Sequence, residues 1–306
     1  MNNIFVLVNP VSANGTTREV WPKIAEDMRQ RGLEFETHMT TAAGNATEAV
    51  RDALKRGKTT IIAVGGDGTA NEAVNGFFAG ETPINPEARL GIISRGTGCD
   101  FIKSLGIPKE YSGALDVISA NQERSIDLAL VEYTQDDGSP GKRWFANIAD
   151  AGLGAAVCKR VNRVSKSAGG LLSYLTGTLW TALSYKNRCA RIIADGKTVY
   201  DGSLILAAVA NGNFFGGGMR LVPTASINDG KLDLIFVRAM SKLRFFSNLP
   251  KIYRGTHLSH PKISLYQVEE VEIIGEKPIE IELDGETPGN TPVKIRVFQG
   301  AIKVLC

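Results

Sequence analysis

A strand followed by a glycine-rich turn and the start of a helix is the feature that most restricts the fold of this chain. The segment runs Ile61-Ile62-Ala63-Val64, then Gly65-Gly66-Asp67-Gly68-Thr69, then Ala70-Asn71-Glu72. Glycines let the backbone turn sharply and approach an anion, and the helix N-terminus offers unpaired N–H groups, so the turn is suited to phosphate. Asp67 would repel bare phosphate, which predicts a bridging magnesium ion or a proton-transfer role. The alternative is a plain strand-to-helix connection, with Asp67 or Thr69 as the helix cap.

Two other polar, glycine-bearing turns also follow apolar runs. Gly96-Thr97-Gly98-Cys99-Asp100-Phe101 comes after Leu90 to Ser94, and Asn9-Pro10-Val11-Ser12-Ala13-Asn14-Gly15 comes after Ile4 to Val8. Strand and helix patterns alternate through this part of the chain, which predicts a parallel sheet covered on both faces. Ligands bind at the carboxyl ends of the strands in such sheets, and we expect all three turns to lie there.

Composition limits the class of protein. The chain has 306 residues, of which 43% are apolar, and this length favours two domains. A net charge of +3 is too small to indicate a nucleic-acid partner, and we expect none. The four cysteines show neither zinc nor disulfide spacing, which favours a reducing cytoplasm. No apolar run reaches the roughly 18 residues of a membrane-spanning helix, so any membrane contact would be peripheral. A homodimer is one assembly that the sequence leaves open.

The pattern of apolar residues in the sequence changes after about Asp127. Short β-branched or alternating runs follow one another, separated by turn signals such as Asp195-Gly196 and Asp229-Gly230. This pattern predicts an antiparallel β-sandwich. The predicted fold class is therefore α/β followed by mainly β, with residues 1–127 as the first domain and 128–306 as the second. We expect the active site in the cleft between them, and a return of the last residues to the first domain is left open.

The three turns together resemble a known family. The Gly-Gly-Asp-Gly-Thr turn, the Gly-Thr-x-x-Asp-Phe turn and the early Asn-Pro turn look like the diacylglycerol kinase catalytic domain. That superfamily includes sphingosine and ceramide kinases, and its nucleotide domain is similar to those of NAD kinases and phosphofructokinases. The resemblance implies a doubly wound, Rossmann-like first domain. It also implies an ATP- and magnesium-dependent lipid kinase that phosphorylates a lipid hydroxyl, with diacylglycerol as the leading substrate.

The resemblance assigns the nucleotide site as well. Thr40 takes the place of a threonine that contacts the nucleotide in the family; Thr41 is the alternative register, and a helix cap is the alternative role for either. The residues implied to bind ATP are Asn9, Pro10, Thr40, Gly65, Gly66, Asp67, Gly68, Thr69, Ala70, Asn71 and Thr97.

A metal loop is implied in the second domain. Residues Pro223 to Asp233 resemble the family's structural magnesium loop, in which Asp229 and the carbonyl oxygens of Ser226 and Lys231 would bind the ion. Such oxygen ligands suit a hard cation. The alternative is an Asp-Gly hairpin turn without metal. Asp127 resembles the family acid that links the metal site to the active site through water; a solvated turn residue is the other interpretation.

The run Leu283-Asp284-Gly285-Glu286 resembles the family's catalytic acid and makes Glu286 the candidate general base for the lipid hydroxyl. With Asp67, Asp100 and Asp127 it completes the predicted catalytic set. A simple hairpin turn is again the alternative. The stretch Asn211 to Gly218 is similar to a glycine-rich segment that lines the substrate side of the cleft.

Other functions remain open at this stage. One is a kinase of a soluble substrate, of the NAD kinase or phosphofructokinase type. Another is a nucleotide- or lipid-binding regulator without catalysis, for which Cys99, standing where the family has Asn, is the one indication.

A basic and then apolar segment predicts membrane contact. Lys159 to Lys186 carries four basic residues followed by leucines and Trp180, a pattern typical of helices that rest on an anionic membrane. An amphipathic helix packed on its own sandwich is the alternative. The expected location is the cytoplasm, with the enzyme peripherally bound to the membrane that holds its lipid substrate.

Overall fold

Helices and strands alternate in the first third of the chain, and strands dominate the rest. The computed structural model describes residues 3–96, 98–164 and 180–306. The helices are α1 Thr16–Gln30, α2 Asn45–Lys55, α3 Asp67–Gly76, α4 Asp100–Leu105, α5 Tyr111–Ala120, α6 Leu153–Val164 and α7 Lys242–Arg254. The strands are β1 Ile4–Val8, β2 Phe35–Met39, β3 Thr60–Gly65, β4 Phe78–Ala79, β5 Thr82–Pro83, β6 Arg89–Ser94, β7 Glu123–Thr134, β8 Pro140–Phe145, β9 Ile148–Gly152, β10 Arg188–Ala194, β11 Lys197–Ala210, β12 Phe214–Phe215, β13 Met219–Arg220, β14 Leu232–Arg238, β15 Ile263–Val268, β16 Glu270–Gly275, β17 Glu280–Leu283 and β18 Glu286–Leu305.

The first layer is a parallel sheet in the strand order β2, β1, β3, β6. Every residue of β3 is buried, as expected for a strand covered by helices on both faces. Val8 pairs with Val64 and Gly65 pairs with Ser94, so β1, β3 and β6 end at one edge of the sheet. The three glycine-bearing turns therefore begin side by side.

The second layer is antiparallel and closes on itself. Strand β11 pairs with β10 and β9, β10 continues to β16, and both β16 and β17 pair with β18, while β17 also pairs with β9. The enclosed core is apolar, with Phe145, Leu204, Phe236 and Ile295 among its members. The predicted fold class, α/β followed by an antiparallel β-structure, is confirmed.

The last strand joins the two layers. Near its end β18 pairs in parallel with β6, through Lys303 beside Arg89 and Val304 beside Leu90. Along most of its length it also pairs with β7, which contains the predicted domain boundary at residue 127. The parallel strands of the first layer and the antiparallel strands of the second layer are thus hydrogen-bonded into one continuous sheet.

Some predicted features fall outside the described residues. Thr97, assigned to ATP, is one of them, and so are Lys166, Leu171, Leu172, Leu175 and Leu179 of the predicted membrane segment. In the part of the chain that is described, no helix combines the length and apolar character needed to cross a membrane.

Trp144 on β8 packs across the junction between the layers. Its ring centroid lies 4.2 Å from that of Phe78 and 4.8 Å from that of Phe298. Its indole N–H donates to the carbonyl oxygen of Gly80 at 3.1 Å. The side chain therefore fills the space where the second layer meets the helical part of the first.

Replacing Trp144 by alanine is expected to lower the free energy of unfolding by about 3–5 kcal/mol, because the buried ring leaves a cavity between the layers. Urea unfolding followed by circular dichroism measures this change. Trp180→Ala is the matched control, since Trp180 is 65% exposed, and it should change stability by no more than about 0.5 kcal/mol. Equal losses in the two variants would contradict the packing role.

Candidate active site

The two glycine turns of the parallel sheet touch each other through their backbones. A Cβ on Gly96 would lie 2.9 Å from the Cα of Gly66, closer than side-chain carbons approach a backbone. The N–H of Arg95 donates to the carbonyl oxygen of Gly65 at 2.6 Å. A Cβ on Gly65 would in turn collide with the side chain of Thr69. Glycine is needed at these places so that the N-termini of α3 and α4 can converge.

Asp67 ties the two turns together. Its carboxylate accepts the backbone N–H groups of Asp100 at 3.2 Å and of Phe101 at 3.3 Å, and so caps the start of α4. Burial raises the pKa of Asp67, and the negative charge of Asp100 adds to the effect, while these N–H groups oppose it. In this structure the predicted catalytic Asp67 thus holds the loop that follows β6.

Asp100 carries the link on to the second layer. Its carboxylate accepts the N–H of Gly217 at 2.7 Å and the ammonium of Lys103 at 2.9 Å. Lys103 also donates to the carbonyl oxygen of Gly98 at 2.8 Å. The glycine-rich stretch Asn211 to Gly218 is therefore anchored to the second glycine turn, on the side of the cleft where the substrate was expected.

The turn after β1 lies beside the turn after β3. The amide nitrogen of the Asn9 side chain donates to the Thr69 hydroxyl at 3.0 Å, and the Asn9 backbone N–H donates to Val64 at 2.9 Å. Pro10 is buried beneath them. Thr40 follows β2 and donates its N–H to Val8 at 2.8 Å, which places it at the same sheet edge.

These turns line an open cavity of about 280 Å³. Its lining comes from the first layer, with the exception of Glu286, which comes from the second layer. Its charged side chains within the described residues are Arg95, Glu72 and Glu286. The lining residues are Asn9, Ser12, Ala13, Gly66, Gly68, Thr69, Glu72, Arg95, Gly96 and Glu286. The cavity is therefore polar, glycine-lined and shared by both layers.

Arg95 is the cation of this cavity, and the motifs did not single it out. Its guanidinium donates to the Thr16 hydroxyl at 3.1 Å. Its Nε is buried and finds no hydrogen-bond partner in the described part of the chain. A buried guanidinium N–H without an acceptor is costly, so the group is suited to an incoming anion.

Glu286 reaches over the first glycine turn from the other side of the cavity. Its Oε1 lies 3.9 Å from where a Cβ on Gly68 would stand. Its other oxygen pairs with the guanidinium of Arg143 at 2.8 Å. Arg143 also donates to the side-chain oxygen of Asn71 through Nε at 3.1 Å and Nη2 at 2.8 Å. The carboxylate is thus held in place and faces the cavity.

Asn71 and Ala70 do not line the cavity. Asn71 is buried, and besides accepting from Arg143 it donates to the Asp284 carboxylate at 2.8 Å and to the Trp144 carbonyl at 3.1 Å. Ala70 belongs to the core of the first layer. Both were assigned to ATP from the sequence, but the structure places them at the junction between layers and behind the turn.

Asp284 fixes the turn that carries Glu286. Its carboxylate accepts the side-chain amide of Asn71 and the backbone N–H groups of Ala146 at 2.8 Å, Asn147 at 3.1 Å and Ile148 at 2.9 Å. Burial raises the pKa of Asp284, and these donors oppose the rise. Both carboxylate oxygens of Asp284 therefore accept hydrogen bonds from the protein, and Asp284 holds the turn in place. Glu286 is the acid of this turn that faces the cavity.

The predicted metal loop is bound to Asp127. The Asp127 carboxylate, fully buried, accepts the N–H groups of Gly230 and Gly300, each at 2.7 Å. Asp229 is exposed, and its Oδ1 accepts the N–H of Lys231 at 3.0 Å. The Lys231 ammonium turns away to pair with Glu269 at 2.5 Å. The described residues contain no cluster of three or more His, Cys, Asp or Glu side chains of the kind that holds a metal.

The donor set of this loop nevertheless fits a hard cation, because one exposed carboxylate and two carbonyl oxygens are the ligands expected for magnesium. Asp233, buried at the end of the loop, has its pKa raised to about 6, first by burial and then by the charge of Asp229. A cation at Asp229 would relieve that repulsion.

A pair of buried acids lies beneath the Glu286 turn, and no sequence motif indicated it. Asp150 on β9 stands opposite Glu282 on β17. Asp150 accepts the N–H of Ala155 at 2.8 Å in the first turn of α6, and Glu282 accepts the N–H of Gly285. Burial raises the pKa of Asp150 to about 6, and burial with the Asp150 charge raises the pKa of Glu282 well above its usual value.

This pair should make stability fall as pH rises. Both pKa values are higher in the folded than in the unfolded protein, so the folded state binds more protons, and unfolding becomes easier from about pH 4 upward through the folded pKa values. Glu282→Gln removes one charge and is expected to reduce the loss of unfolding free energy between pH 5 and pH 8 by about 1–3 kcal/mol.

Urea unfolding at the two pH values measures the effect. Glu280→Gln is the matched control, because Glu280 lies on the same strand but pairs at the surface with Lys159. It should keep the wild-type pH dependence. Parallel profiles for Glu282→Gln and the wild type would contradict a raised pKa of Glu282 in the folded protein.

Comparisons with known proteins agree with this architecture. Residues 3–131 match the diacylglycerol kinase catalytic domain, and residues 147–306 match the YegS C-terminal NAD kinase beta sandwich-like domain. The chain is 31% identical to a diacylglycerol kinase of Bacillus subtilis over 95% of its own length and 92% of the relative. It is 30% identical to one of Staphylococcus haemolyticus, with 98% and 86% coverage.

Solved structures show the same fold. A diacylglycerol kinase from Bacillus anthracis superposes with a TM-score of 0.72 at 21% identity, covering 99% of this chain and 96% of that one. Yeast NADH kinase, solved with NADH, gives a TM-score of 0.55 at 10% identity, with 98% and 81% coverage. The two domain matches and the full-length relatives place the chain in one family: it belongs to the diacylglycerol kinase family and is a lipid kinase.

Proposed function

We propose that the enzyme transfers the γ-phosphate of ATP to the hydroxyl of diacylglycerol, giving phosphatidic acid, at the surface of the membrane. The observation that carries the proposal is the position of Glu286, whose carboxylate faces the first glycine turn across the cavity from the other layer. The relatives from Bacillus subtilis and Staphylococcus haemolyticus are named for diacylglycerol, and this supports the choice of substrate.

The phosphates of ATP would lie against the two glycine turns. Gly66, Gly68 and Gly96 leave room for the backbone to approach, and the start of α3 presents N–H groups with the positive end of its dipole. Arg95 supplies the cationic donor of the cavity. The nucleotide would then be fixed by groups that the fold places before it arrives, which is what phosphoryl transfer needs.

Glu286 would accept the proton of the lipid hydroxyl. As the hydroxyl oxygen bonds to the γ-phosphorus, the bond between that phosphorus and the oxygen that leaves with ADP breaks. The hydroxyl proton passes to the Glu286 carboxylate. Arg143 and Asn71 hold that carboxylate in place. No covalent intermediate with the protein is required.

Magnesium is proposed as the second cofactor. Asp229, with the carbonyl oxygens of Ser226 and Lys231, would hold one ion, and when bound it would neutralise the loop that Asp127 anchors through Gly230. Magnesium on the phosphates would offset their charge during transfer.

Glu286→Gln is expected to lower kcat by about 10²–10⁴-fold, the usual contribution of a general base, because the amide cannot take the proton. The dissociation constant for ATP should stay within about twofold of the wild type, since the group acts on the lipid. Steady-state transfer of labelled phosphate to diacylglycerol and calorimetric titration with ATP measure the two quantities.

Glu280→Gln is the control, since Glu280 pairs with Lys159 outside the cavity, and it should keep wild-type kcat. A Glu286→Gln enzyme that retained a third or more of the wild-type kcat would remove Glu286 from the chemistry. A wild type that binds ATP without turning over any lipid would favour a regulatory protein.

Arg95→Gln is expected to weaken binding of ATP and ADP by about tenfold or more, because a hydrogen bond to a charged group contributes about 1.5–3 kcal/mol. Binding of adenosine should not change, since the guanidinium would meet phosphate only. Arg31→Gln is the control, because Arg31 pairs with Asp116 on the surface. An equal loss for adenosine would mean that Arg95 only supports the local fold.

A further inference from the structure

Helix α7 exposes an apolar stripe. On its inner side Phe245 packs with Leu206 and Val237, and Ile252 packs in the neighbouring cluster. On its outer side Leu243 is 82% exposed and Tyr253 is 55% exposed. These two residues, with Phe246 and Pro250 between them, follow the spacing of one helical face. The helix is therefore apolar on both sides.

The same outer side is basic. Arg244, Lys251 and Arg254 are exposed and flank the stripe. The helix sequence, Lys242 to Arg254, contains no aspartate or glutamate. None of these three cations forms an ion pair with another described residue. A surface that combines bulky apolar side chains with uncompensated cations is complementary to an anionic membrane interface.

The helix is connected to the substrate side of the cleft. Where α7 ends, a Cβ on Gly255 would lie 2.7 Å from the Pro223 side chain. Two residues later, Nε2 of His257 donates a hydrogen bond to the carbonyl oxygen of Leu221 at 2.9 Å. These contacts hold α7 against the β12–β13 hairpin. That hairpin reaches the second glycine turn through the hydrogen bond from Gly217 to Asp100 at 2.7 Å.

A second exposed aromatic ring lies on a segment that packs against the inner side of α7. Ala182 and Tyr185 belong to the same small cluster as Phe245, and Trp180, two residues before Ala182 in the chain, is 65% exposed. Exposed aromatic rings beside cations are typical of the membrane interface, where one end of the side chain is apolar and the other is wet.

We propose that the outer face of α7, formed by Leu243, Phe246, Tyr253, Arg244, Lys251 and Arg254, is the surface that lies in an anionic membrane. The apolar side chains enter the acyl boundary and the three cations contact lipid phosphates. This inference rests on the proposed function in one respect, because a lipid acceptor requires the enzyme to work at a bilayer. The β12–β13 hairpin then lies between the bilayer and the cleft.

The test is sedimentation of the full chain with sucrose-loaded vesicles at about 0.1 M salt, where exposed charges still act at close range. Vesicles contain either phosphatidylcholine alone or a mixture with phosphatidylglycerol. One variant carries Leu243→Ser with Tyr253→Ser, and a second carries Arg244→Gln, Lys251→Gln and Arg254→Gln. The control carries Arg18→Gln, Lys23→Gln and Lys55→Gln, which removes the same charge from exposed sites on the first layer.

The wild type should bind phosphatidylglycerol vesicles at least tenfold more strongly than either α7 variant, and the control should bind within about twofold of the wild type. Kinase activity on a short-chain, water-soluble diacylglycerol should remain within about twofold in every variant. This activity assay separates the kinase function from the membrane-binding role of α7. Absence of activity in the wild type would contradict the proposed function, whereas the vesicle measurement would still test the role of α7.

Three results would overturn the inference. One is equal vesicle binding by the wild type and the α7 variants. Another is a loss of charge-dependent binding in the control as large as in the α7 variants. The last is a change in sedimentation-velocity mass, without a change in vesicle binding, which would assign the face to a second copy of the chain.

Discussion

The buried carboxylate of Asp284 determines how the two layers face each other. It takes a side-chain hydrogen bond from Asn71 in the first layer and three backbone hydrogen bonds from residues 146–148 in the second. Because Asn71 follows the first glycine turn on α3, this one carboxylate sets the distance between the turn and Glu286, two residues further along the chain. Arg143 closes the same network by binding both Asn71 and Glu286.

Most acids of the recognised motifs have a similar task. Asp67 caps α4, Asp100 holds the β12–β13 hairpin, and Asp127 holds the loop at Gly230 together with the bend at Gly300. Asp100 and Asp127 are buried and Asp67 is half-buried, and each accepts at least one backbone N–H group, which compensates the cost of removing a charge from water. These three acids thus hold several loops in place. Glu286 differs from them because it reaches the cavity from the second layer.

The sequence predicted which turns lie together, but it did not predict the direction of every side chain on them. Turns that follow buried strands of a parallel sheet must gather at one edge, so the positions of Asn9, Gly66 and Gly96 followed from pattern alone. Asn71 was assigned to the nucleotide, but in this structure its side chain turns away from the cavity, because one helical turn after Asp67 the face of α3 meets the second layer. No local pattern could show that contact.

Other features depended on pairing between distant strands. The length of β18 is one of them, since it stays paired with β7 although the register between the two strands shifts between Phe298 and Ile302. The pair of Asp150 and Glu282 exists only because β9 and β17 lie side by side. Helix α7 was not predicted. Its apolar residues lie on two sides of the helix, so they do not repeat with the spacing of one apolar face.

The central claim is that the shared cavity passes phosphate from ATP to a membrane lipid. Its most direct measurement is transfer of labelled γ-phosphate, with magnesium, to diacylglycerol, undecaprenol, phosphatidylglycerol, ceramide and sphingosine in mixed micelles, with NAD as a soluble acceptor. The account predicts labelled phosphatidic acid from diacylglycerol and no labelled NAD. Label on NAD, or no product from any lipid while ATP still binds, would contradict it.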